Sequence, residues 1–280
     1  MKNLIIRTIV GTILVAVIIT ATYFSPYSYM ILFTLISALC AHEFATIINN
    51  SGKATINRSI ITLAGGYLFL ASALYLSEIA RADVFIPYLL VLLYLMISEL
   101  YLKRENPINN WAFTMLSQVY TVFPFALLNL LAFQTTQEAQ VVAYNPILSL
   151  AVFVFLWIND SGAYLVGSSF GKNRLFERIS PKKSWEGSIG GALFSLIAAW
   201  IISIFFPFLP LIQWLILALV VVVFGTWGDL SESLLKRTLG IKDSSHILPG
   251  HGGFLDRFDS ALMAIPAAVI CLYLFSLIGF

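Results

Sequence analysis

Apolar residues run along this chain in stretches of about twenty, separated by short polar segments, and the alternation continues from one end to the other. A bilayer-spanning helix needs roughly 17–25 mostly apolar residues. The pattern predicts about nine transmembrane helices, over 4–24, 27–48, 59–80, 84–102, 111–133, 147–166, 189–206, 211–227 and 260–280. The first follows Met1-Lys2-Asn3 and is read as a span, not a cleaved leader, because further apolar stretches follow at once. The start of the eighth is least defined, since Pro207 and Pro210 crowd its turn. The expected fold class is an all-α polytopic membrane protein.

Composition agrees with that pattern. Hydrophobic residues make up 59% of the 280 positions and charged residues only 11%, and the mean hydropathy is +0.90. A soluble domain carries roughly a quarter charged residues, so too few are present here to cover a wet surface. Cys40 and Cys271 both sit inside apolar stretches and read as small buried hydrophobes. The net charge of +2 says little about partners, but the placement of the charges says more. With the N-terminus in the cytoplasm, all 16 Lys and Arg residues except Arg81 fall on inside segments or on the span ends beside them. That is a strong positive-inside signal and predicts a cytoplasmic N-terminus with the C-terminus outside. Two inside segments are longer and more polar than the others, 167–187 and 228–259. The division expected is 1–146, about five helices serving packing and dimer contacts, and 147–280, a catalytic region carrying both polar segments.

The candidate chemistry lies in that second part. If the eighth helix continues past Gly228, then Asp229, Glu232, Ser233 and Lys236 share one face at i, i+3, i+4 and i+7. Two carboxylates a turn apart at a membrane edge suit a hard divalent cation. They equally suit a polar helix end held by intrahelical ion pairs. Further on, Lys242-Asp243 precedes Pro249-Gly250-His251-Gly252-Gly253, whose glycines let backbone approach a ligand and offer N–H groups to phosphate oxygens. Asp256 and Asp259 then open the last helix, where they can act in a site or offset the helix dipole.

Asn159-Asp160-Ser161-Gly162-Ala163-Tyr164 puts an acid late in the sixth span, a functional hypothesis by default, with an interhelical polar contact as the alternative. Lys182 and Lys183 follow Pro181 and suit either a phosphate or anionic headgroups. Packing explains Glu43 and Glu99, near span ends, as well as catalysis does. Gly167-Ser168-Ser169-Phe170-Gly171-Lys172-Asn173 is one residue short of a phosphate loop and lacks the Ser or Thr after its lysine. A structural zinc at His246 and His251 lacks thiols or a third histidine nearby.

Ser233 through Asp259 reads S-L-L-K-R-T-L-G-I-K-D-S-S-H-I-L-P-G-H-G-G-F-L-D-R-F-D. This resembles the signature of the phosphatidate cytidylyltransferase family, S-x-hydrophobic-K-R, four residues, K-D, then a spacer into P-x-H-G-G-x-x-D-R-x-D, with no departure over that run. The upstream D-S-G-A-Y and S-P-K-K-S-W-E-G also look like family elements, whereas the first half is similar only in hydrophobic pattern. The resemblance implies transfer from CTP to phosphatidate, giving CDP-diacylglycerol and pyrophosphate with Mg2+, and it admits a second, monovalent cation such as K+. It implies Asp229 and Asp256 as metal ligands, with Lys236, Arg257 and His251 beside them in catalysis. Substrate contacts are then expected from Asp160, Ser161, Tyr164, Lys182, Lys183, Glu232, Ser233, Arg237, Lys242, Asp243, Gly252, Gly253 and Asp259. The expected setting is the inner (cytoplasmic) membrane with the site facing the cytoplasm. A homodimer is admitted, and no nucleic acid polymer is expected as a partner. A transporter and a transferase acting on another lipid, such as a polyprenol or an ether lipid phosphate, are the alternatives.

Overall fold

The computed structural model describes residues 2–135, 141–245, 247 and 252–279. Its elements are α1 (Lys2–Phe24), α2 (Pro26–Asn50), α3 (Arg58–Leu76), a 3-10 turn (Ala82–Phe85), α4 (Ile86–Leu102), α5 (Pro107–Ser117), a π turn (Gln118–Val122) and α6 (Phe123–Ala132). Two short strands follow, β1 (Phe133–Thr135) and β2 (Val142–Tyr144), then α7 (Pro146–Phe170). The second ribbon is β3 (Arg174–Phe176) with β4 (Ser180–Ser184), and the chain ends in α8 (Trp185–Phe205), α9 (Leu211–Thr238) and α10 (Leu255–Leu277). Among the described residues, eight helical segments are long and apolar enough to cross a membrane, and the described apolar part of α1, Thr8–Phe24, is shorter. The fold is an all-α polytopic membrane fold with two antiparallel ribbons.

The chain divides into two compact units, 1–147 with 238–258, and 148–237 with 259–280. In the first, Tyr29, Phe33 and Phe69 are fully buried and packed ring against ring. Tyr144 joins them across Phe133. Ser37 Oγ donates to the Gly65 carbonyl at 3.0 Å, so α2 and α3 meet through small residues. Glu99 on α4 pairs with Arg104 at 2.8 Å and accepts from Asn110 Nδ2 at 2.8 Å, while Asn110 Oδ1 accepts from Thr55 N at 2.7 Å. Glu99 is thus a packing group that ties α4 to α5 and to the segment before α3.

Several expected boundaries move. The fifth span begins at Pro107 and carries a π turn just before Pro124. Proline has no N–H and its ring clashes with the carbonyl four residues back, so the widened turn, with Phe123 N bonded to Gln118 O, absorbs the missing link. The segment 167–187 contains a ribbon, and α7 runs on to Phe170, so most of the glycine-serine stretch is the end of a helix. The last helix starts at Leu255, five residues earlier than its apolar pattern. The eighth span continues unbroken past Trp227 to Thr238.

In the second unit, helices approach to backbone distance. Ser195 Oγ on α8 donates to the Phe155 carbonyl on α7 at 3.1 Å. A Cβ at Gly187 would stand 2.9 Å from the Ala163 carbonyl, and one at Gly191 would stand 2.5 Å from that of Asn159. On α9, a Cβ at Gly228 would stand 2.6 Å from the Asp259 carbonyl oxygen on α10. Gly228→Ala is therefore expected to force these helices apart and cost about 1–3 kcal/mol, the usual range for overpacking. A lowered thermal midpoint in detergent checks this, and an unchanged one would mean that the contact yields freely.

Candidate functional site

Continuity of α9 gathers the first cluster, in the second unit. Asp229, Glu232, Ser233 and Lys236 lie on one helix, as the i, i+3, i+4, i+7 spacing requires. Lys236 pairs with the fully buried Glu232 one turn back. Ser233 Oγ donates to Asp229 Oδ1 at 3.2 Å. The other Asp229 oxygen pairs with Lys183 Nζ, reaching over from β4. Asp259, on α10, is repelled by Asp229 and Asp160 and attracted by Lys236, and its Oδ1 accepts from Ser260 N at 2.6 Å. Three acids from α7, α9 and α10 thus converge with Lys183 and Lys236 close by. Among the described residues, no three His, Cys, Asp or Glu side chains are grouped so as to hold a metal ion.

The β3–β4 ribbon forms the second element. Glu186, in the first turn of α8, accepts from Lys172 N at 3.2 Å, Asn173 N at 3.1 Å and Asn173 Nδ2 at 2.7 Å. Trp185 N donates to Asn173 O at 2.9 Å, and Ser184 Oγ caps α8 by accepting from Gly187 N at 3.1 Å. Beside the ribbon lies a cavity of about 450 Å³, whose lining includes Asp160, Tyr164, Arg174, Lys182 and Lys183. Tyr164 is 74% exposed. Ser161 Oγ instead donates to the Trp157 carbonyl at 2.8 Å within its own helix.

The glycine-rich segment belongs to the first unit, and two carboxylates hold it. Asp256 Oδ2 accepts from Ser244 N at 2.9 Å, Ser244 Oγ at 3.0 Å and Gly253 N at 2.8 Å. Glu43, near the end of α2 and 1% exposed, accepts from four donors. Its Oε1 takes Ser245 Oγ at 2.7 Å and Phe254 N at 2.9 Å, and its Oε2 takes Ser244 Oγ at 2.9 Å and Leu255 N at 2.9 Å. Phe254 N and Leu255 N open α10, so a carboxylate some 200 residues away caps that helix. The paired glycines follow from this. Gly252 has φ +80°, and a Cβ there would stand 2.6 Å from Asp256 Oδ2. A Cβ at Gly253 would stand 2.2 Å from Glu43 Oε2.

Of the residues expected in a site, Asp160, Tyr164, Lys182, Lys183, Glu232, Ser233, Lys236 and Asp259 come together with Asp229 in the second unit, on the ribbon cavity or the acidic cluster. Asp256, Gly252 and Gly253 form the held loop of the first. Lys242 and Asp243 are exposed just before Ser244, Arg257 is exposed in the first turn of α10, and Arg237 is exposed near the end of α9. His251, like His246, Pro249 and Gly250, lies outside the described residues. Sequence reasoning missed Arg174 and Glu186 and undervalued Glu43. For Glu43 the available signal was an acid within an apolar stretch.

The model of the cytidylyltransferase family matches residues 5–275 of this chain. Over 124 residues the chain is 49% identical to a phosphatidate cytidylyltransferase of Bacillus subtilis, covering 44% of this chain and 46% of that one. It is 47% identical over 125 residues to one of Staphylococcus haemolyticus, covering 44% and 48%. It is 46% identical over 125 residues to one of Haemophilus influenzae, covering 42% and 43%. The chain spans about half the length of the curated relatives it matches.

Glu43→Ala is expected to leave buried loop donors without an acceptor and to cost more than about 3 kcal/mol, with Glu43→Gln intermediate. A lower thermal midpoint together with faster proteolysis within 242–256 checks the assignment. A Glu43→Ala protein as stable and protease-resistant as the parent would refute it.

Proposed function

The chain belongs to the cytidylyltransferase family, and from that premise we propose that it transfers the cytidylyl group of CTP to phosphatidate, forming CDP-diacylglycerol and pyrophosphate. The observation that carries this reading is the convergence of Asp160, Asp229 and Asp259 with Lys183 and Lys236 beside a polar cavity, on helices otherwise built for a bilayer. The curated relatives, matched over about half their length, carry the same activity in their names.

In the proposed reaction a phosphatidate oxygen attacks the α-phosphorus of CTP, the bond from that phosphorus to the β-phosphate bridging oxygen breaks, and pyrophosphate leaves. Two polyanions must meet, so catalysis consists mainly of neutralising charge and holding the groups in line. The donor chemistry fits Mg2+, which binds through one or two carboxylates and keeps its remaining positions for water and substrate phosphates. Asp229 and Asp256 are the proposed ligands, with Asp160, Glu232 and Asp259 as further candidates. When bound, the metal would supply charge neutralisation on the phosphates. Lys182, Lys236, Arg237, Lys242 and Arg257 are the proposed phosphate contacts, beside Lys183, which pairs with Asp229. The active site is proposed to face the cytoplasm at the inner membrane, on the strength of the positive-inside charge distribution. A monovalent cation and pairing of two copies belong to the same proposal.

Purified protein supplied with labelled CTP and Mg2+ is expected to label phosphatidate and release pyrophosphate. Label appearing only in a polyprenol or an ether lipid phosphate would move the reaction to that acceptor. Asp229→Asn and Asp256→Asn are each expected to lower turnover by at least about 100-fold, the scale for losing one group that stabilises transition-state charge. Near-parental turnover at saturating Mg2+ in either variant would remove that residue from the metal set.

A further inference from the structure

Adjacent lysines look interchangeable in a sequence, and in this structure they are not. On β4 the Lys183 ammonium is already spent in its ion pair with Asp229. Lys182, on the same strand, is exposed. Arg174 stands opposite Ser184 in the ribbon. The register shifts between the Arg174–Ser184 and Phe176–Ser180 pairs, so Lys182 falls in an irregular stretch of β4 next to the pair that holds Arg174. Both line the 450 Å³ cavity. Among the described residues neither side chain has an ion pair. The lining holds three basic side chains against one acid, Asp160, and Asp160 lies within electrostatic range of Asp259.

We propose that this cavity is a phosphate site in which Arg174 and Lys182 make the anion contacts, while Lys183 serves to tie the ribbon to Asp229. A guanidinium fork and an ammonium flanking one cavity suit a phosphate group, the fork supplying direction and the ammonium a point charge. The pair is held ready. Glu186 fixes the backbone of Lys172 and Asn173 immediately before Arg174, and Trp185 N closes the ribbon onto Asn173 O. Little ordering therefore remains to be done when an anion arrives. The chemistry is that of a phosphate monoester or polyphosphate. In the reaction proposed above, on which this choice of ligands rests, its sources are the triphosphate of the nucleotide and the headgroup of the lipid.

The test is direct binding, measured on the purified full chain in detergent by titration calorimetry with pyrophosphate, CTP and phosphatidate in mixed micelles. Arg174→Ala and Lys182→Ala are each expected to weaken binding of at least one of these by roughly 10- to 100-fold, the effect of losing one charge-assisted contact. Lys53→Ala, at an exposed lysine of the first unit, is expected to stay within about threefold of the parent, a change well under one such contact. Weakened pyrophosphate and CTP with unchanged phosphatidate assigns the cavity to the nucleotide, and the converse assigns it to the lipid headgroup. The proposal is overturned if all three ligands bind both variants as they bind the parent, or if Lys53→Ala loses as much as they do. Because no turnover is read, a protein that binds pyrophosphate through Arg174 and Lys182 yet transfers no cytidylyl group would keep this site and refute the reaction.

Discussion

A carboxylate taken out of water must find donors close by, and in a chain with so few charges each such group organises the backbone around it. Glu43, Glu99 and Glu232 are all buried at the polar ends of apolar helices. Glu99 is met by Arg104 and Asn110, and Glu232 by Lys236 on the next turn of α9. Among the described residues Glu43 pairs with no cation and draws its donors from a loop and a helix start instead. The placement of Ser244, Ser245, Phe254 and Leu255 follows from that need. So does the requirement for glycine at 252 and 253, where a side chain would occupy the space of a carboxylate oxygen.

Hydrocarbon thickness made the helices readable, because span length and apolar content are properties of single segments. Their ends were less readable. The apolar run of the eighth span stops at Trp227, yet nothing in Gly228 through Thr238 breaks a helix, so α9 simply continues. Pro124 announced itself in the sequence, but that the chain would widen into a π turn depends on how its neighbours pack. The charged motifs were visible as residues, and their partners were not. Lys183 to Asp229 joins a ribbon to a helix 46 positions on. Glu43 to Leu255 spans 212 positions. Pairings at that separation are set by tertiary packing alone, and for this reason Arg174, a lone arginine at the start of a short strand, carried no signal.

The polar groups thus divide by task. Glu43 spends both of its oxygens, and Asp256 its Oδ2 alone, on shaping a loop, whereas Asp229 is balanced by the end of a flexible lysine side chain and by a serine hydroxyl. A carboxylate balanced in that way is open to exchange of partners, because an ammonium on a flexible stem costs little to displace. One bound by several amides is not. The acids within one short stretch of sequence therefore differ in kind, and the difference comes from which donors the fold delivers to each.

The close seam between α7 and α8 also bears on traffic within the bilayer. Along it, Gly187 and Gly191 bring one backbone against the carbonyls of Ala163 and Asn159, and Val166 fills the space over Gly190. At those positions the two helices meet with no room for a further side-chain atom. Asp160 and Tyr164 lie on the helix that forms the seam. A lipid approaching them cannot pass between the two helices at those contacts.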